Sequence, residues 1–347
     1  MEKAPQKIII SRTDKIGDVI LTLPMAGVIK AHFPSAQIFF LGRKLVRPII
    51  ETSKNIDKFI DWGELENLPT NEQVKQFQNL NADVILHVFP NAQIAKIAKK
   101  SKIPLRIGTG HRIYHLWTCN KPLFYSRKKS NLHESQLNLK LLAPLGINPE
   151  YSTEQLADHY EMQIIPEPNE EIKQWLSDTH FNLILHPKSK GSAREWGLDN
   201  FSRLIELLPK DQYKIFITGT LEEQEELKHF LANHREHCTD LTGKLSMSEL
   251  IAFINQADGL VAASTGPLHI ASALGKTAIG IFPPIRPMHP GRWAPIGNNA
   301  HYLVLNKECS DCRKSMDCHC IRSIKPEQVV ELLDSVGLKN TKTNPDE

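Results

Sequence analysis

The chain has 347 residues, about two domains' worth at roughly 150 residues each, and is 41% hydrophobic, 23% charged and 7% aromatic. That composition excludes disorder, collagen-like repetition and a small disulfide-stapled scaffold, and no stretch reaches the roughly 18 consecutive apolar residues of a bilayer span. The opening MEKAPQKIII lacks the long apolar stretch and small-residue cleavage site of a secretory signal, so a cytoplasmic protein is expected.

Along the chain, short β-rich apolar runs alternate with helix-length amphipathic segments, the rhythm of parallel sheets covered by helices on both faces. In the first half, strands are predicted at Lys7–Ser11, Gln37–Leu41, Lys58–Asp61, Ala82–Val88 and Leu105–Gly108, with helices in the gaps. Residues 164–171, IIPEPNEE, read as a linker, because two prolines interrupt the pattern and the acidic cluster suits the start of a new helix. The rhythm then restarts. Strands are predicted at Asn182–His186, Lys214–Gly219, Gly259–Ala263 and Thr277–Phe282, with helices near Asp199–Leu208, Leu221–Asn233, Ser246–Asn255 and Pro267–Leu274. A last helix, Pro326–Val336, starts at proline and stops before Gly337, and the polar tail beyond it is expected to fray. The fold class is therefore α/β, two doubly wound Rossmann-like domains facing a central cleft. Its expected parts are 1–165, 166–325, a C-terminal helix at 326–338 and a tail at 339–347.

Net charge is only +3, but it is unevenly spread. Residues 1–165 carry 22 Lys and Arg against 15 Asp and Glu, whereas residues 166–347 carry 20 against 24. From Val84 to His133 there are ten Lys and Arg and no acidic residue, which reads as a surface for a polyanion or, more plainly, as solvated helix faces. Four of the six cysteines crowd together as Cys309, Cys312, Cys318 and Cys320. Disulfides are disfavoured in a reducing compartment, and the C-x-x-C and C-x-C arms leave open a zinc site or a reduced loop.

No G-x-G-x-x-G follows the first strand and no P-loop motif occurs, so neither a dinucleotide oxidoreductase nor a P-loop enzyme is indicated. Chemistry instead concentrates at strand ends. After the first strand, Gly17 offers close backbone approach, and Asp18 falls at the start of a helix, whose N-terminus would keep it ionised and able to take a proton from a hydroxyl. Asp18 is equally explained as an ordinary first-turn acid. After Asn182–His186 come Lys188, Ser189, Lys190 and Arg194, a plausible cradle for a diphosphate, with Trp196 anchoring the loop. After Gly259–Ala263, Ser264, Thr265 and Gly266 turn the chain and Pro267 opens a helix, leaving free N–H groups for an anion, with His269 one turn in. A plain N-cap at Ser264 or Thr265 explains the same residues. Beyond Gly219, Glu222 and Glu223 are suited to ribose hydroxyls or simply to the first turn of a helix.

In order, these residues resemble glycosyltransferase family 9, the heptosyltransferases of lipopolysaccharide core assembly. The match rests on R-x-D-x-I-G-D-x-x-L-T-x-P from Arg12 to Pro24 and on H-P-x-S from His186 to Ser189 followed by R-x-W at Arg194. It continues with S-T-G-P-x-H-x-A-x-A-L from Ser264 and with I-x-P-E-x-V from Ile324, and it spans Ile8 to Val330.

The resemblance implies a GT-B architecture with an N-terminal acceptor domain, a C-terminal donor domain and a last helix crossing back to the first. It implies an inverting transfer of heptose from ADP-heptose to a lipopolysaccharide inner-core precursor, with Asp18 as general base. Lys188, Ser189, Arg194, Ser264, Thr265, Gly266, Pro267 and His269 would surround the donor diphosphate, and Glu222 or Glu223 would hold its ribose. The acceptor's phosphates and Kdo carboxylates would meet Arg106, Arg112, Arg127, Lys128 and Lys129 in the basic stretch. Some members carry aspartate where this chain has Ser264, which leaves divalent-cation assistance and the sugar open. The cysteines resemble those of the second-heptose branch. No cofactor is required on this reading and no nucleic acid is a partner, while contact with the cytoplasmic face of the inner membrane is expected. Two alternatives stand beside it: an acceptor-independent nucleotide-sugar epimerase or hydrolase, and a non-catalytic protein that binds anionic glycolipid.

Overall fold

Ile8, Ile9 and Ile10 are all fully buried, which requires a strand covered on both faces. In the computed structural model, which describes residues 4–309 and 317–337, they form β1 (Lys7–Ser11), inside a parallel sheet. The other strands of this sheet are β2 (Gln37–Gly42), β3 (Lys58–Asp61), β4 (Val84–His87), β5 (Leu105–Thr109) and β6 (Lys121–Leu123), in the order β3-β2-β1-β4-β5-β6. A second parallel sheet holds β7 (Phe181–His186), β8 (Tyr213–Ile217), β9 (Cys238–Asp240), β10 (Gly259–Ala263), β11 (Thr277–Phe282) and β12 (Ala300–Val304), in the order β12-β11-β10-β7-β8-β9.

The chain divides into two units, Met1–Ile164 and Ile165–Glu347, with one sheet in each. Both sheets run 3-2-1-4-5-6 when their strands are counted within the unit. The direction of winding therefore reverses between β1 and β4 and again between β7 and β10. In open α/β sheets ligands bind outside the carboxyl ends of the strands at that reversal. Each unit has the same kind of internal tie at the opposite end of its own sheet. Asp83, just before β4, accepts from the Gln6 and Lys7 backbone N–H groups at 2.7 and 2.8 Å, and Asp258, just before β10, accepts from the Asn182 N–H at 2.7 Å.

Three strands absent from the sequence expectation, β6, β9 and β12, are all short or partly exposed and all lie at or beyond the flanks of a sheet. β6 contains Pro122, which an edge position tolerates because no ladder donor is needed on its open side. The last helix, Pro326–Gly337, is grouped with the second unit. It packs on the helix Leu198–Leu207, and Val329 and Leu333 are fully buried in the second unit's core with Trp196, Phe201 and Ile217. That burial of an amphipathic face is the physical reason for its position. The tail at 339–347 lies outside the described residues. Among the described residues, no helix is long and apolar enough to cross a membrane.

Candidate active site

In the first unit, β1 ends at Ser11 and the chain turns through Arg12–Lys15 into the short helix Ile16–Ile20. Arg12 is buried, and its guanidinium organises everything around it. Its Nε and Nη2 donate to the two carboxylate oxygens of Asp14 at 2.9 and 3.0 Å, a fork-to-fork pairing. Nη2 also donates to Asp18 Oδ1, and Nη1 donates to Glu134 Oε1 at 3.2 Å and to Asn138 Oδ1 at 3.1 Å. Arg127 closes the far side, donating from Nη1 to the same two acceptors. The Asn138 amide then donates to Leu21 O and Thr22 Oγ1, each at 3.2 Å, and Thr22 Oγ1 donates to Asp18 O at 2.8 Å. Asp18 is thus held at both its carboxylate and its backbone.

Asp18 reaches solvent, with its side chain 18% exposed, as do Asp14 at 16% and Arg127 at 25%, whereas Arg12 and Glu134 are each 3% exposed. Burial pushes its carboxyl up from the ordinary 3.8 to about 6, against the pull of Arg12, while Asp14 and Glu134 push the same way as burial. Arg12 itself is lowered by burial, but the carboxylates of Asp14, Asp18 and Glu134 more than offset this and hold it protonated. This changes the expected physics in two respects. The ionised form of Asp18 is held by Arg12 rather than chiefly by a helix N-terminus, since the helix is only five residues long. Gly17 lies within that helix, not in the preceding loop, and its φ is not positive, so it provides access rather than an unusual backbone conformation.

In the second unit, β10 ends at Ala263 and leads through Ser264 and Thr265 into the helix Gly266–Ala273. Thr265 occupies the N-cap, yet its hydroxyl makes no capping bond, and Oγ1 is buried without a hydrogen-bond partner among the described residues. Pro267 has no N–H, and the Gly266 and Leu268 N–H groups belong to the first turn, where no intrahelical carbonyl is available. An uncapped helix start with a buried, unused hydroxyl is an anion site in form. Ser264 is half-buried, Pro267 is buried, and His269 is buried one turn into the helix.

The neighbouring loop after β7 is held shut by Glu195, a residue the sequence reading did not single out. Its carboxylate accepts from Lys188 Nζ at 2.8 Å, Ser189 N at 3.0 Å and Ser189 Oγ at 3.1 Å. Lys188 also pairs with Glu226 at 2.7 Å; burial lowers its pKa, but these two carboxylates more than offset that and raise it. Lys190 and Gly191 take positive φ values of 48° and 71°, and Arg194 is buried. Trp196 is an anchor: it is fully buried, and its indole N–H donates to Ile324 O at 2.8 Å.

The two glutamates after β8 differ. Glu223 is buried in a capping box, accepting from the Thr220 N–H at 2.8 Å, which is the plain reading of a first-turn acid. Glu222 is exposed and pairs with Lys190 at 3.0 Å, a hydrogen bond that lowers its pKa to about 2.

The expected acceptor cations also separate. Arg106 is tied inward, donating from Nε to Thr118 O at 2.7 Å and from Nη1 to Ile103 O, and Arg127 belongs to the Arg12 network. Arg112, Lys128 and Lys129 are exposed. Of the cysteines, Cys318 and Cys320 are buried in the second core with Cys309 packed against it, and Cys312 lies outside the described residues. Among the described residues no group of three His, Cys, Asp or Glu is placed to hold a metal ion.

Sequence reading also missed Glu134 and Asn138. Glu134 had a signal: it is the first acid after fifty residues without one, and it is buried.

Residues 72–320 match the model of glycosyltransferase family 9 (heptosyltransferase). A lipopolysaccharide heptosyltransferase 3 of Escherichia coli is 23% identical, over 77% of this chain and 79% of that one. Among solved structures, a family 9 glycosyl transferase from Veillonella parvula superposes with a TM-score of 0.75 at 20% identity, covering 98% of this chain and 99% of the other. The E. coli ADP-heptose lipopolysaccharide heptosyltransferase II gives a TM-score of 0.72 at 17% identity, covering 96% and 99%. The two Rossmann-like sheets are therefore those of the GT-B type, and the chain is a transferase belonging to glycosyltransferase family 9.

Proposed function

We propose that this transferase moves a heptosyl group from ADP-heptose to a hydroxyl of a lipopolysaccharide inner-core acceptor, with inversion at the anomeric carbon. The observation that carries the reading is Asp18: a largely buried carboxyl, still open to solvent, raised to about 6 and paired with Arg12. Such a group is ionised at neutral pH yet more basic than an ordinary carboxylate, which suits a general base. In the step, Asp18 accepts the acceptor hydroxyl proton as the oxygen bonds to the anomeric carbon. The bond from that carbon to the donor phosphate breaks, and its electron pair leaves on the diphosphate.

In the second unit, the Gly266 and Leu268 N–H groups and the Thr265 hydroxyl suit that developing charge, because donors fixed in advance need no reorganisation. Lys188 and Ser189 are the nearby loop groups that can exchange their Glu195 bonds for phosphate oxygens, and Glu222 is the exposed candidate for the ribose. Arg112, Lys128 and Lys129 are the exposed cations offered to the acceptor's anionic groups. The E. coli relative of known structure carries ADP-heptose in its name, which supports this donor.

Thermal unfolding with ADP, UDP and GDP tests the donor: at about 100 times its dissociation constant the preferred nucleotide adds about 2.7 kcal/mol. ADP should shift the midpoint most. An equal or larger shift with UDP would contradict the assignment, and consumption of ADP-heptose without acceptor would favour an epimerase or hydrolase instead.

A further inference from the structure

Between Pro187 and Leu198 the chain carries the cations Lys188, Lys190 and Arg194 and a single acid, Glu195. That acid sits on the groups an anion would use. Its Oε1 accepts from the Ser189 backbone N–H at 3.0 Å and lies 3.1 Å from Ser189 Oγ, while its Oε2 accepts from Lys188 Nζ at 2.8 Å. An ammonium, a hydroxyl and a backbone N–H converging on the two oxygens of one anion make the donor set of a phosphate-binding loop. The turn beneath them closes through Ser192, which donates to Ser189 O from its backbone N at 2.8 Å and from Oγ at 2.7 Å. The donors are therefore held in place by a local turn, and the carboxylate is added to them. Glu195 itself is not locked down: its side chain is 32% exposed, against 17% for Lys188, so it can swing into water when a stronger anion arrives.

We propose that Glu195 is a built-in competitor for the nucleoside diphosphate. Its carboxylate occupies the phosphate-binding groups of Lys188 and Ser189, is displaced when the nucleotide sugar binds, and returns to them as the nucleoside diphosphate leaves. The inference rests on the reading of this loop as a diphosphate loop given above. Its consequence follows from charge. The displaced carboxylate stays near the phosphates it yields to and repels them, so donor and product are both held less tightly than the loop's cations alone would hold them. Breaking the bond to the sugar converts a diphosphate diester into a diphosphate with a free terminal phosphate, which carries more negative charge. A purely cationic loop would therefore grip the product harder than the donor, and the nearby carboxylate offsets that bias. Weaker ground-state binding of this kind raises KM and eases release without acting on the bond-breaking step.

The test is calorimetric titration of ADP into the full chain and into Glu195→Gln, with steady-state kinetics on both. Glutamine keeps an acceptor for the Ser189 N–H and removes the charge. The dissociation constant of ADP should fall by about tenfold in the variant. The donor KM should fall with it, product inhibition by ADP should strengthen, and kcat should not rise. Glu206→Gln makes the same charge change at an exposed site near the far end of the helix Leu198–Leu207 and should leave ADP affinity unchanged. An equal gain there would make net charge the cause and overturn the inference. Lys188→Ala separates the inference from the reading beneath it. If Lys188→Ala weakens ADP binding but Glu195→Gln leaves it unchanged or weakens it too, the loop holds the diphosphate and Glu195 is only a structural tie, so the inference alone fails. If Lys188→Ala has no effect on ADP, the loop does not hold the diphosphate and both fall. Should Glu195→Gln not fold, a crystal structure of the native chain with ADP decides: Glu195 is expected to have left the Ser189 N–H, and finding it still bonded there would overturn the proposal.

Discussion

Asp18 is pulled in opposite directions by burial and by Arg12, and the balance sets when it can act. Its proton is held more tightly in the folded chain than in the unfolded one. The stability it contributes is therefore present below 3.8 and lost as pH rises through about 6, over the same interval in which it becomes a base. The expected kinetic signature is an acid limb in kcat/KM with an apparent pKa near 6, read from a pH–rate profile; a limb near 4 would mean that burial does not control the group. Glu134 enters that balance from the far side of Arg12, because its charge helps to raise Asp18. Glu134→Gln keeps an acceptor for Arg12 and Arg127 but removes the charge, so the acid limb should move to lower pH, and kcat should fall as the base weakens. An unchanged limb would mean that Glu134 only holds the fold. Burial and pairing of this kind require the tertiary structure. That is why the place of Asp18 in the helix after the first strand could be read from the sequence, whereas the Arg12 network that holds it, with Asn138, could not.

At the scale of elements, two threonines stand at helix starts and differ in what their hydroxyls do. Thr220 completes a capping box with Glu223, and Thr265 caps nothing. Thr220→Ala should therefore cost about 1 kcal/mol of stability by denaturant unfolding with little effect on donor binding. Thr265→Ala should cost less than half of that, because its hydroxyl is buried without a partner among the described residues, while raising the donor KM. A full capping penalty at Thr265 with an unchanged KM would make it an ordinary cap.

The strands that sequence reading bounded correctly include central strands and the edge strand β3. β1, β3, β10 and β11 match their predicted bounds because their apolar runs are bounded by clear turn residues. β9 reads Cys-Thr-Asp and β6 contains a proline, so neither carries a period; only pairing with a neighbour makes them strands. Asp18 does lie in the first turn of the helix after β1, but that helix is only five residues long, so the pairing with Arg12 holds its charge more than the helix N-terminus does.

For the molecule as a whole, the same strand order occurs twice, and both reversals carry the residues that sequence reading had gathered at strand ends, Asp18 after β1 and Thr265 after β10. The alternation of strands and helices made that architecture readable, while the burial of Val329 and Leu333 in the second core is a tertiary feature that no pattern in the chain specifies. Charge is divided likewise, with the basic excess in the first half and the acidic excess in the second. The most direct measurement is the turnover of ADP-heptose with an inner-core acceptor by the native chain and by Asp18→Asn, with donor affinity measured alongside. The expected result is unchanged donor affinity and a kcat lower by about a hundredfold or more. A variant that keeps its kcat, or one whose loss is accounted for by failure to bind donor, would contradict a general base at Asp18.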